Sequence, residues 1–205
     1  MTNLDKALAD ISAIRTQMAR GAEFRGYGPA TVAATGLLAL LAAGAQALCL
    51  PDPAADVFFY LALWVATAAV SVVLIGVEMV GRSRRIHSGL ADEMIWAATE
   101  QFIPAGIAGA LLTVVLFRFA PQSLWMAPGL WQIVFSLGFF ASCRCLPRPM
   151  YAVGVWYLGA GLASLAIGSE MSAFSPWVMG IPFGIGQLFM AALLYLSAGE
   201  SDAEA

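Results

Sequence analysis

Apolar positions run in long blocks along this chain, separated by short polar clusters. Six continuous blocks lie at about 30–50, 57–80, 94–117, 124–145, 149–168 and 175–198. Each is near the roughly 20 residues with which an α-helix crosses a hydrocarbon layer about 30 Å thick. None alternates with the period of two that marks a strand with one wet face. Inside hydrocarbon the backbone must satisfy its own hydrogen bonds, which leaves helices or closed barrels. Unalternating runs exclude the barrel. The pattern predicts an all-α fold: a polytopic membrane helix bundle of six transmembrane helices.

Ahead of the first block the period changes. In "LDKALADISAIRTQM", residues 4–18, the apolar Leu4, Leu8, Ile11, Ile14 and Met18 recur at helical spacing, with Asp5, Lys6, Asp10 and Arg15 on other faces. This is an N-terminal amphipathic helix, and "GAEFRGYGP" breaks it from the first span. The chain divides into a cytoplasmic arm at 1–29, a six-helix transmembrane domain at 30–198 and an acidic cytoplasmic tail at 199–205. The arm reads as a helix lying in the inner headgroup layer. A docking face for a cytoplasmic protein, or for a second copy of the chain in a homo-oligomer, is the competing reading. The stripe is too short for a coiled coil.

Prolines and small residues add a finer pattern. Pro29 and Pro53, Pro104 and Pro128, and Pro149 and Pro176 bracket similar lengths, and Tyr60, Phe135 and Phe183 each follow a second proline by the same interval. Three parallel helical hairpins would produce such a repeat. Ala105 with Gly109, Gly106 with Ala110, Gly159 with Ala163, and Gly180 with Gly184 have the small-residue spacing that lets helix backbones approach closely.

Composition agrees with lipid as the main solvent. The chain is 60% hydrophobic and 11% charged, with mean hydropathy +0.80, where a soluble domain carries about 25% charge. Charge position gives orientation. Of the ten Lys and Arg residues, only Arg118 falls in the first, third and fifth loops. The others are Lys6, Arg15, Arg20 and Arg25 in the arm, Arg82, Arg84 and Arg85 in the second loop, and Arg144 and Arg148 in the fourth. The positive-inside rule puts both termini in the cytoplasm of a bacterial inner (plasma) membrane. The basic loops are then topological, and no direct nucleic-acid contact is expected. Ala45-x-Ala47 matches a signal-peptidase pattern, but the long patterned segment before it favours an uncleaved first helix.

Few polar residues lie within the blocks. In "MIWAATEQFIPAG" Glu100 and Gln101 sit about 6 Å inside Trp96, at 1.5 Å per residue. Pro104 cannot donate to the carbonyl of residue 100, so the segment predicts a kinked helix entrance. Its carboxylate would be snorkelled or paired with the nearby arginines. Glu78, one turn before Arg82, reads the same way, with Arg84 and Arg85 as further ion-pair partners. Gln187 lies about 15 Å past Trp177, near the bilayer midplane, and Gln132 about 10 Å past Trp125. These glutamines either tie helices together or line a cavity for a small polar or neutral solute. No ionisable residue is expected near the midplane, which argues against an ion-driven pump.

Catalysis and cofactors find little support. His87 is the one histidine, Cys143 and Cys145 have no companion ligands, and Cys49 lies at the far side. Ser169 and Glu170 have no visible base or orienter, so an enzyme, a metal site and a cofactor are all unexpected.

"ISAIRTQMARGAEFRGYGPATVAATG" and "SPWVMGIPFGIGQLFMAALLY" resemble the two ends of an uncharacterised bacterial family of small six-span inner-membrane proteins. The resemblance rests on packing and cap residues and implies no activity. It implies a neighbourhood of small winged-helix regulators. The combined expectation is a non-enzymatic integral membrane protein. It would be a regulatory or ligand- or lipid-sensing module that engages a cytoplasmic partner through residues 1–20. The alternative is a small-solute transporter or channel with Glu100, Gln132 and Gln187 along a polar path.

Overall fold

The structure, a computed structural model, describes residues 27–86, 91–142, 148–168 and 172–203. The amphipathic stretch at 4–18, His87, Cys143, Arg144, Cys145, Ser169 and Glu170 lie outside the described residues. Within them the chain is all-helical: α1 (Pro29–Cys49), α2 (Val57–Ile86), α3 (Ala91–Phe119), α4 (Ala127–Ser142), α5 (Tyr151–Ile167) and α6 (Pro176–Ala203). Short 3₁₀ segments, Pro121–Met126 and Arg148–Met150, lead into α4 and α5.

Proline sets several of the starts. Pro29 opens α1 after an extended Gly28, where a missing N–H costs nothing and φ is already helical. Pro121, Pro128 and Pro176 occupy first turns in the same way. Asp52 begins the turn into α2, with its Oδ1 accepting the Ala55 N–H at 3.2 Å. Arg84 and Arg85 close α2 and Arg118 closes α3, favourable charges at helix C-termini. Two prolines are internal, Pro104 in α3 and Pro182 in α6.

Five segments, within α1, α2, α3, α4 with its 3₁₀ lead-in, and α6, are long and apolar enough to cross a membrane. The helix α5, at 17 residues, is shorter. It spans about 25 Å at 1.5 Å per residue, which is the lower end of what a crossing requires.

The helices neighbour one another in chain order, and α1 closes the ring against α6. The most extensive interfaces are α1 with α6 and α4 with α5, neither of which lies inside an expected hairpin. Close backbone approach explains both. Gly36 of α1 faces Gly184 and Gln187 of α6, and Gly180 faces Ala43, so the two helices run antiparallel. A methyl group on Gly161 of α5 would meet the Gly129 carbonyl oxygen of α4 at 2.7 Å. By contrast Gly106 and Gly159 have nothing within 4 Å of such a methyl. Their small-residue pairs therefore do not make the tight packing their spacing predicted. Only Gly180 and Gly184 do so fully.

The core forms two clusters. One gathers Tyr60, Trp64, Leu124, Phe174 and Met179, and the other Val32, Phe139, Met150, Val153, Tyr157 and Leu194. Phe183 packs against both. Its ring lies 5.4 Å from Phe135 and 5.1 Å from Tyr157, so aromatic edges join the halves of the bundle.

Candidate functional site

Four glutamine and tryptophan hydrogen bonds, two of them fully buried, show what the interior polar groups do. Gln46 of α1 is buried. Its Nε2 donates to the Phe174 carbonyl at 2.8 Å, and its Oε1 accepts from Trp64 Nε1 at 2.8 Å. One side chain thereby ties α1, α2 and the turn before α6. Gln132 of α4 is also fully buried, and its Nε2 donates to the Val178 carbonyl at 2.8 Å. That carbonyl would ordinarily receive the N–H of residue 182, which is Pro182 and has none. Gln132 supplies the missing donor. Trp156 of α5 donates to the Pro182 carbonyl at 3.0 Å, so α6 is held around its internal proline from both α4 and α5.

Glu78, Arg82 and Arg85 line one cleft at the end of α2, with Arg84 exposed beside them. The Glu78 carboxylate lies against Gly28, at the amino end of α1. A negative charge there meets the unsatisfied N–H groups and positive end of the helix. On α3, Glu100 is exposed and Gln101 half-buried, before Pro104.

Gln187 is 8% exposed, and its Oε1, like that of Gln132, is buried with no hydrogen-bond partner; unlike Gln132 it borders a cavity. Two adjoining cavities lie beside α2. The smaller, about 130 Å³, is lined by Gln187 together with Thr35, Thr67 and Ser71. The larger, about 290 Å³, reaches Phe102, Gly106 and Gly109 of α3 and Trp131 of α4. Trp64, Ala68, Phe135, Met179 and Phe183 border both. Among the described residues no ionisable side chain lines either one. The Tyr157 hydroxyl stands over Gly186 and faces the Gln187 side chain, with which it interacts without a well-aligned hydrogen bond.

The candidates thus occupy separate places. Gln187 lines the divided cavity, Gln132 secures the α4–α6 contact, Glu78 and two arginines share an end cleft, and Glu100 and Gln101 sit on α3. Gln46, Thr35, Thr67 and Ser71 went unmarked in the sequence. The last two had a readable signal: Trp64, Thr67, Ala68, Ser71, Val72 and Ile75 recur at helical spacing and form one face of α2. Gln46 had none beyond being a lone amide in an alanine-rich block. Among the described residues no three His, Cys, Asp or Glu side chains gather to hold a metal. Cys49 is a free, exposed thiol. Neither a protein-family model, a curated protein nor a solved structure matches this chain.

Proposed function

We propose that this protein is a six-span integral membrane protein of the bacterial inner membrane, with both termini cytoplasmic, that senses a lipid or small ligand within the bundle. It reports the occupied state to a cytoplasmic partner through residues 1–20. The short α5 completes the sixth crossing, aided by its 3₁₀ lead-in. The divided cavity beside Gln187 carries the reading. It is apolar, uncharged and flanked by α2 and α3, which bury least of the five long apolar segments. A sensor needs a site whose filling shifts a helix, whereas a conducting path needs polar groups in sequence along its length.

Support for the transporter reading is thinner, because the Gln132 donor is committed to Val178 and neither Glu100 nor Gln132 borders the cavities. The test uses the full chain and a chain lacking residues 1–20, each purified from its own cells and reconstituted in vesicles. The expected result is co-purification of a cytoplasmic protein with the full chain only, and no passage of glycerol or urea by either. Glycerol flux above empty vesicles that Gln187→Leu abolishes would establish the transporter instead.

A further inference from the structure

Resting on the intramembrane-site reading above, we propose a ligand class for the divided cavity: a neutral long-chain lipid alcohol, its hydroxyl held by Gln187. The polar wall is specific about what it accepts. Thr35, Thr67 and Ser71 donate their hydroxyl hydrogens to the carbonyls of Val32, Leu63 and Thr67, each at 2.8 Å. They therefore turn only oxygen lone pairs toward a guest. Gln187 adds a buried carbonyl oxygen without a partner and an amide N–H₂, whose two hydrogens leave one for a guest beside the Tyr157 hydroxyl that the side chain also faces. A hydroxyl both gives and takes a hydrogen bond, and so meets this wall fully. A ketone or ether would leave the Gln187 oxygen dry, at the cost of an unsatisfied buried acceptor.

Charge and depth narrow the class further. With no Lys, Arg or His of the described residues on either lobe, a phosphate or carboxylate would enter without a counter-charge, which low-dielectric surroundings penalise heavily. Gln187 is also about 15 Å from the interfacial Trp177, at 1.5 Å per residue. A phospholipid headgroup anchored at the surface cannot reach it; an uncharged alcohol dissolved in the hydrocarbon can. The chain of the guest has a course as well. From the smaller lobe it passes Ala68 into the larger, where Ala105, Gly106 and Gly109 leave α3 flat. A methyl on Gly106 would meet nothing within 4 Å, so this lobe has room for a methylene chain.

The experiment uses the full-length protein in nanodiscs of synthetic phosphatidylcholine, with tritiated geranylgeraniol and geranylgeranyl phosphate as probes of equal chain. Saturable binding of the alcohol is expected, with the phosphate at least ten-fold weaker. Gln187→Leu should weaken alcohol binding about ten-fold without lowering the unfolding temperature, and Ala68→Phe, which plugs the junction of the lobes, should abolish it. Should Gln187→Leu fail to insert, Thr67→Val combined with Ser71→Ala tests the same wall and should weaken the alcohol but not the phosphate. Equal affinity for both probes would overturn the alcohol assignment while leaving an intramembrane site in place. Alcohol binding unchanged by Gln187→Leu, or weakened as much by Tyr157→Phe, would make Gln187 a packing partner of Tyr157 and overturn its role. No saturable binding of either probe would remove the sensing site itself.

Discussion

The two halves of the ring are built on opposite terms. In its most apolar stretch α3 buries 6% of its residues within the protein and α2 17%, against 39% for α1 and 44% each for α6 and the segment Pro121–Ser142. Leu111, Val114 and Phe119 on α3, and Val72, Val73 and Val77 on α2, stand exposed. Between apolar helices in lipid there is no hydrophobic drive to associate, so contact rests on close packing and on hydrogen bonds. The α1–α6 and α4–α5 pairs have glycines at their crossings, and an amide or indole ties α4 and α5 each to α6, and α1 to the turn before it. No glycine of α2 or α3 makes such a crossing between them; Trp64 ties α2 to Gln46 of α1 at 2.8 Å, and Trp131 of α4 reaches Thr113 of α3 at 2.7 Å. A rigid frame therefore holds a looser pair, and the cavities open where the looser pair meets the frame.

The strongest way to break this comparison is to crowd the frame. At Gly161 the added carbon of Ala would sit 2.7 Å from the Gly129 carbonyl oxygen and 3.0 Å from the Ile133 backbone nitrogen. Backbone atoms cannot rotate aside, so α4 and α5 must separate. Gly161→Ala is expected to destabilise the bundle by about 1–3 kcal/mol, read as a lowered midpoint in detergent unfolding. An unchanged midpoint would mean that the α4–α5 contact adds nothing to stability.

A smaller effect is expected at the internal proline of α6. Gln132→Leu removes the donor that replaces the absent N–H of Pro182, leaving the Val178 carbonyl dry in the core. The cost should be about 1 kcal/mol, the usual scale for such a bond between membrane helices. Pro182→Ala returns an N–H to that carbonyl, so in its presence Gln132→Leu should cost close to nothing. A double-mutant cycle measures the difference directly. Strict additivity would show that the glutamine serves some purpose other than satisfying the proline's orphan.

Much of this frame could be read in advance, and the parts that could not share a cause. Apolar block length located every helix, because crossing hydrocarbon demands it, and the ends at Pro29, Val57 and Pro176 fell within a residue or so of expectation. The overrun of α2 to Ile86 escaped notice because hydropathy stops at the first arginines, whereas a helix does not. The prolines pointed to three hairpins; helices adjacent in sequence do touch, but the largest interfaces fall between the expected hairpins, and Pro104 lies well inside α3 rather than at its entrance. Gln132 and Gln187 were marked together by depth alone. One is committed to a proline's orphan carbonyl and the other lines a cavity, and only their neighbours on α6 and α2 tell them apart. The same holds for glycine, since Gly129 and Gly161 are far apart in sequence and no spacing rule pairs them.

The gentlest test compares glycines that share a spacing but not a face. Gly106 and Gly159 each belong to a small-residue pair, as Gly180 does, yet an added methyl meets nothing within 4 Å at either. Ala at such a position removes backbone freedom from the unfolded chain and favours the helix by roughly 0.5–1 kcal/mol. Gly106→Ala and Gly159→Ala should therefore leave the unfolding midpoint unchanged or raise it slightly, while Gly180→Ala, whose methyl would collide with Ala43, lowers it. A loss at Gly106 comparable to that at Gly180 would mean that α3 meets another backbone at that glycine, as a second copy of the chain would provide. The looser half of the ring would then be an interface and not a free surface.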